Sequence, residues 1–191
     1  MPRVSLADIA SIIRREVQID SDTEYPELGI RSFGAGTFHK GPVLGALLGS
    51  KRIFRIEPGD LLFSNVFAWE GAVAVAKSQD AGRYGSHRFI SCVVNPRIAT
   101  PEFLRYFFLT PEGLQKLGEA SPGGAGRNRT LGLEALRRIE VPVPELSKQR
   151  CLDRLLGKMN EILAIRSQIT SDSAVLLRAV LRQLMDLGEG T

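Results

Sequence analysis

The stretch Val141-Pro142-Val143-Pro144-Glu145-Leu146-Ser147 divides the chain in two. Two prolines at alternate positions fix φ, remove two amide donors and push the residue before each of them into extended backbone, so no helix runs through 141–144. From about residue 147 to 187 there is no proline and a single glycine, Gly157, which reads as one continuous helix. Ser147 is positioned as its N-cap, its hydroxyl accepting from a free amide of the first turn. The segment before the hinge is mixed in pattern and rich in glycine and proline. The expected fold is therefore α+β: one globular mixed α/β domain over 1–145, then a long C-terminal coiled-coil helix over 146–191.

The helix carries a pattern of its own. Positions 152, 155, 159, 162, 166, 169, 173, 176, 180, 183 and 187 alternate steps of three and four. Leu152, Leu155, Met159, Ile162, Ile169, Leu176, Val180 and Leu187 make this row mostly apolar, and Leu156, Leu163, Leu177 and Leu184 form a second row beside it. Such a stripe has to be buried against something. At about 1.5 Å per residue the helix would be roughly 50–60 Å long, more than a domain this small covers. Two arrangements answer this: the helix folds back on its own domain, or it pairs with another helix, from a second copy or from a partner. Arg166, Ser173 and Gln183 interrupt the row; polar seam residues lower stability while fixing register.

Before the hinge, Leu6, Ile9, Ile12 and Ile13 are spaced as one helical face. Arg52 to Ile56 reads as extended, Glu57-Pro58-Gly59-Asp60 as a turn, and Leu61-Leu62-Phe63-Ser64 as a buried strand. Gly71 to Ala76 and Phe89 to Val94 read as two more strands, the last stopped by Asn95-Pro96. Pro101 opens a helix with Phe103, Leu104, Phe107 and Phe108 on its apolar side, and Pro111 to Leu117 a second, short one. A helical Leu131 to Leu136 and a strand from Arg138 to Val143 complete the domain.

Composition narrows the function. With 191 residues and 43% hydrophobic content the chain has a real core. A net charge of +4 permits nucleic-acid binding without demanding it. Cys92 and Cys151 form no C-x-x-C pair, which argues against a zinc site or disulfide framework and for two reduced thiols in a cytoplasmic protein. The opening residues lack an apolar signal region, and no run of 18 apolar residues offers a membrane span. No P-loop occurs, and Gly34-Ala35-Gly36 lacks the third glycine of a dinucleotide fingerprint. Asp60 and Glu70 hint at a metal-dependent nuclease, but no Glu-x-Lys element follows Glu70. His39 and His87 stand apart, without metal or triad spacing, and read as surface or DNA-facing residues.

The basic residues are less evenly spread than the net charge suggests. No Asp or Glu occurs from Leu28 to Ile56, from Ala81 to Pro101, or from Ala120 to Leu133. These stretches hold Lys40, Lys51 and Arg52; Arg83, His87 and Arg88; and Arg127, Asn128 and Arg129, which are the candidate DNA-binding residues. Arg donates two bonds to guanine, Asn pairs bidentately with adenine, and Lys anchors phosphate. The plain alternative is a set of solvated surface charges and, for Gly123 to Thr130, a surface loop. Phe63, Phe67 and Trp69 fit either core packing or a wedge on DNA.

The order of these segments resembles the specificity subunit of type I restriction–modification systems, one target-recognition domain with one spacer helix. Val4-Ser5-Leu6-Ala7-Asp8-Ile9-Ala10 is similar to the family's opening. Ile56-Glu57-Pro58-Gly59-Asp60-Leu61-Leu62-Phe63-Ser64, followed by Gly71 to Ala76, is similar to its central strand pair. Leu136 to Gln149 is similar to its domain-to-helix junction, with Glu145 in place of the second proline and Lys148 in place of a glutamate. The resemblance implies a non-catalytic, half-length subunit that homodimerises through Leu152, Leu155, Met159, Ile162, Ile169, Leu176, Val180 and Leu187 and reads a bipartite site in double-stranded DNA. It implies no cofactor on this chain: S-adenosylmethionine and ATP would sit on the partners, a DNA adenine methyltransferase subunit and a restriction/translocase subunit. A coiled-coil adaptor without DNA contact and a small DNA-modifying enzyme stay open as alternatives.

Overall fold

The computed structural model describes residues 2–123 and 129–188. Two compact units result, Met1–Arg150 and Cys151–Thr191.

In the first unit the hinge is paired with the start of the chain. Strand β1 (Arg3–Ser5) lies antiparallel to β10 (Glu140–Pro142), with Val4 opposite Val141. The Leu6 amide donating to the Ile139 carbonyl (2.9 Å) and the Val143 amide donating to that of Pro2 (3.1 Å) extend this contact. Helix α1 (Leu6–Ile9) follows at once, capped by Ser5, whose hydroxyl accepts from the Asp8 amide and donates to its carboxylate.

The expected helical face through Ile12 and Ile13 is not formed. Residues Ala10–Ile13 are strand β2, antiparallel to β9 (Phe89–Val94). Leu6 and Ile9 keep their helical spacing, but the β-branched pair Ile12-Ile13 goes to the ladder, where β9 supplies backbone partners a lone helix turn lacks. With β6 (Leu61–Ser64) and β7 (Val73–Val75), these strands form an antiparallel sheet in the order β2-β9-β6-β7. Both faces of β6 are covered: Leu61 and Phe63 enter the main core, while Leu62 meets Leu28, Ile56 and Ala76 on the other side. That is why this strand reads as an unbroken apolar run.

Helices α3 (Pro101–Phe108) and α4 (Pro111–Glu119) start alike. Thr100 and Thr110 cap them by accepting from the amides of Phe103 and Gly113, each with proline in the first turn. The two helices meet closely: a Cβ on Gly113 would lie 2.1 Å from the Phe107 carbonyl oxygen. Leu104 and Phe108 of α3, Leu117 of α4, and Leu136 of α5 (Leu133–Arg137) fill the core with Leu6, Ile9, Ile90 and Cys92.

A second sheet, in the order β4-β3-β8-β5, consists of β3 (Glu24–Ile30), β4 (Thr37–Leu44), β5 (Ile53–Arg55) and β8 (Tyr84–Ser86). Pro26 faces Pro42 across the β3–β4 pair, and the register shifts between Pro26 and Leu28. Neither proline donates, so this ladder is broken where two donors are missing. Helix α2 (Gly45–Leu48) follows β4, and its Leu48 joins Tyr25 and Ile53 in a small separate core.

Helix α6 runs from Leu146 to Gly188 over 43 residues, roughly 65 Å. It begins two residues earlier than a Ser147 cap allows: the amides of Lys148 and Gln149 donate to the Glu145 carbonyl, so Ser147 lies inside the first turn. Gln149 is fully buried and satisfied. Its amide nitrogen donates to the carbonyls of Ile98 (3.0 Å) and Pro144 (2.7 Å), and its oxygen accepts from the Thr100 amide (3.0 Å). In the second unit Leu152, Leu155, Met159, Ile162, Ile169, Leu176 and Val180 are all exposed, Leu176 by 66%. The Leu187 side chain lies outside the described residues. Among the described residues no helix is long and apolar enough to cross a membrane.

Candidate nucleic-acid interface

The turn Glu57-Pro58-Gly59-Asp60 forms as expected, with Gly59 at φ 89°, a region that favours glycine. Asp60 is a structural residue. One carboxylate oxygen takes a guanidinium nitrogen of Arg15 (2.6 Å) together with the Glu57 amide (3.0 Å), and the other takes the second guanidinium nitrogen (3.0 Å). Glu70 accepts from the Ser32 hydroxyl (3.0 Å). The two carboxylates thus have separate structural partners, and among the described residues no group of three His, Cys, Asp or Glu is arranged to hold a metal ion.

His39 lies at the surface as expected, but it is not isolated. Its Nε2 is 2.8 Å from Asp80, which also accepts from the Thr37 hydroxyl and the Lys77 amide. Asp80 is fully buried. Burial works to raise its pKa, but the bonds from Lys77, His39 and Thr37 outweigh this and hold it below the usual carboxylate value. A separation of 41 positions hid this pair from any reading of spacing.

The structure distributes the basic candidates into two groups. Strands β5 and β8 pair antiparallel with Ile53 opposite Ser86. Lys51 and Arg52, which lead into β5, and His87 and Arg88, which follow β8, therefore leave the ladder at the same end; all four are exposed. From there a chain of backbone bonds continues. The Asn65 amide donates to the Arg88 carbonyl (2.7 Å), and the Leu131 amide donates to that of Asn65 (2.8 Å). Two residues before Leu131, the Arg129 guanidinium lies 5.1 Å from the centroid of the Trp69 ring. Arg127 and Asn128 lie outside the described residues.

Lys40 and Arg83 form the second group. Arg83 donates to the carbonyls of Glu27 (3.3 Å) and Lys40 (3.2 Å), so it ties strands together as well as carrying charge. The Lys40 ammonium is 3.7 Å from Glu27 and 6.0 Å from the centre of the Phe38 ring. Such exposed pairs are worth little in water and are readily exchanged for another anion. Arg52, 3.9 Å from Glu16, is held as loosely.

One exposed aromatic residue escaped the sequence. Phe33 is 85% exposed, at the tip of the β3–β4 hairpin. Gly34 and Gly36, dismissed as a cofactor loop, shape that tip, both with positive φ. The legible signal was an aromatic set against a Gly-Ala-Gly turn inside an acid-free stretch.

No protein-family model matches the chain, and no curated protein matches it. Solved structures do. The HsdS subunit of Thermoanaerobacter tengcongensis aligns with a TM-score of 0.68 and 19% identity, over 92% of this chain and 46% of that one. A chain from a structure of complex assembly and conformational transition in the type I R-M system aligns with a TM-score of 0.68 and 18% identity, over 96% of this chain and 49% of that one. The chain has the fold of a specificity subunit, and it spans about half the length of the solved chains it matches.

Proposed function

We propose that this chain reads DNA sequence for a type I restriction–modification methyltransferase, as a non-catalytic half-size specificity unit that dimerises through its long helix. The observation that carries the reading is the fold, shared over nearly the whole chain with about half of an HsdS subunit. Residues 1–145 would be the target-recognition domain and 146–191 the spacer and dimerisation helix. Lys51, Arg52, His87 and Arg88, at one end of the β5–β8 pair, and Arg129, linked to them through the backbone bonds of Asn65, would meet the duplex, with Arg127 and Asn128 beside them in sequence and Lys40 and Arg83 in the second group. Phosphate contacts would set register, while arginine and asparagine would read bases.

The exposed stripe of α6 supports pairing with a second copy. A two-fold dimer would present two recognition domains and read an interrupted palindrome. Adenine methylation, with S-adenosylmethionine, and ATP-driven translocation would belong to partner subunits in the cytoplasm.

Methylome sequencing with and without the gene tests this reading. The expected result is loss of adenine methylation at one bipartite motif. An unchanged methylome, together with no binding to any duplex in the presence of the methyltransferase subunit, would sink it and leave a protein-binding helix as the reading.

A further inference from the structure

Phe33 is held outward by the fold. Among the described residues it is the only non-glycine residue with positive φ, at 59°, a conformation that a side chain with a Cβ resists. The backbone on both sides of it is tied down. Its amide donates to the Glu70 carbonyl (2.8 Å), the Gly34 amide donates to that of Gly71 (2.9 Å), and the Arg31 amide donates to that of Gly36 (2.9 Å). Gly34 is pressed against α3's end, where a Cβ would lie 2.6 Å from Leu109. These contacts fix an unfavourable dihedral while leaving the ring in solvent. Strain of this kind, imposed by the surroundings on an exposed side chain, points to a use for that side chain.

The surroundings indicate the partner. The loop lies in the acid-free stretch from Leu28 to Ile56. Arg31 lies over the Phe38 ring at 4.8 Å. On the other side Glu70, whose carbonyl holds Phe33, directly follows Trp69, the ring that carries Arg129. The carboxylate touching the loop, that of Glu70, is engaged by Ser32. An exposed apolar ring on a loop that carries Arg31, and whose backbone is held by the residue after the Arg129-bearing Trp69, suits an anionic polymer with flat, stackable groups. It suits an apolar protein pocket less well.

We infer that Phe33 is a wedge that enters a base step of duplex DNA and unstacks it, a role that rests on the DNA-reading function proposed above. Apolar side chains used in this way kink the duplex and add selectivity for easily unstacked steps, without a hydrogen bond to any base.

The test uses the full chain with its methyltransferase subunit and a pool of random-sequence duplexes, from which wild-type protein enriches its preferred sites. Phe33→Gly removes the ring and relaxes the dihedral, so the fold is retained, as a thermal melt would verify. On the enriched duplexes Phe33→Gly is expected to bind about 10- to 100-fold more weakly. Its salt dependence should be unchanged, since no phosphate contact is lost. Permanganate, which oxidises unstacked thymine, should mark one step in each half-site of the wild-type complex that it does not mark with Phe33→Gly, while Phe33→Leu, which keeps an apolar wedge, retains that mark. Wild-type affinity and an unchanged permanganate pattern for Phe33→Gly would overturn the wedge and leave the DNA-reading function standing. Failure of the wild type to enrich any duplex would overturn both. Unchanged DNA affinity with loss of the methyltransferase on size exclusion would make Phe33 a protein-docking residue and also overturn the inference.

Discussion

The first unit and the helix of the second use the same kinds of side chain to opposite ends. In Met1–Arg150, Leu61, Leu104, Leu117 and Leu136 have no exposed surface. In Cys151–Thr191, Leu155, Ile162, Ile169 and Leu176 stay more than half exposed. Covering the exposed part of each would gain roughly 1–2 kcal/mol. The difference teaches that an apolar stripe records a need for cover, not its source. Sheets and helices of the first unit cover one another, whereas the stripe of the long helix retains its capacity for a partner.

The largest expected effect that sharpens this contrast lies in the first core. The Phe108 ring meets Phe63 edge-to-face at 5.1 Å with no exposed surface. Phe108→Ala should cost about 3–5 kcal/mol in urea unfolding. Next comes the junction. Gln149→Ala strands the Thr100 amide and the carbonyls of Ile98 and Pro144, and should cost about 2–4 kcal/mol in the same assay. A loss below 1 kcal/mol there, roughly one ordinary hydrogen bond, would mean that the first turn of α6 is not anchored as described.

Acid gives a smaller effect. Because the folded pKa of Asp80 lies below its unfolded value, its contribution is fully present above about pH 4 and disappears as pH falls through the folded pKa. Asp80→Asn should therefore flatten the acid limb of the stability profile while lowering the plateau near neutrality, measured as urea midpoints against pH. An unchanged acid limb would count against the Asp80 clasp.

The helix should respond differently from the core. The double variant Ile162→Asp, Ile169→Asp should leave the unfolding of the first unit within about 0.5 kcal/mol of wild type and abolish self-association in sedimentation. A stability loss as large as that of Gln149→Ala would erase the contrast between the units. The smallest effect is chemical. Cys151 is exposed, whereas burial pushes the Cys92 thiol up to about 12. A thiol reagent should titrate one cysteine in native protein and the second only on unfolding.

The local sequence was enough for those elements whose signals lie within a few residues. The hinge prolines, the Pro58-Gly59 turn, the apolar run of β6 and the proline starts of α3 and α4 needed no distant partner. The three–four repeat of α6 also announced itself, because helical periodicity is a property of consecutive residues. Tertiary structure decided what depends on residues far apart. It turned Ile12 and Ile13 from helix to strand by offering β9. It built a second sheet through Pro26 and Pro42, which sequence rules count against a strand. It joined Arg15 to Asp60 and His39 to Asp80 across more than forty positions, and it aligned the basic ends of β5 and β8. It also held Phe33 outward at a positive φ, since that dihedral is imposed by backbone bonds to Glu70 and Gly71 rather than by any preference of phenylalanine itself.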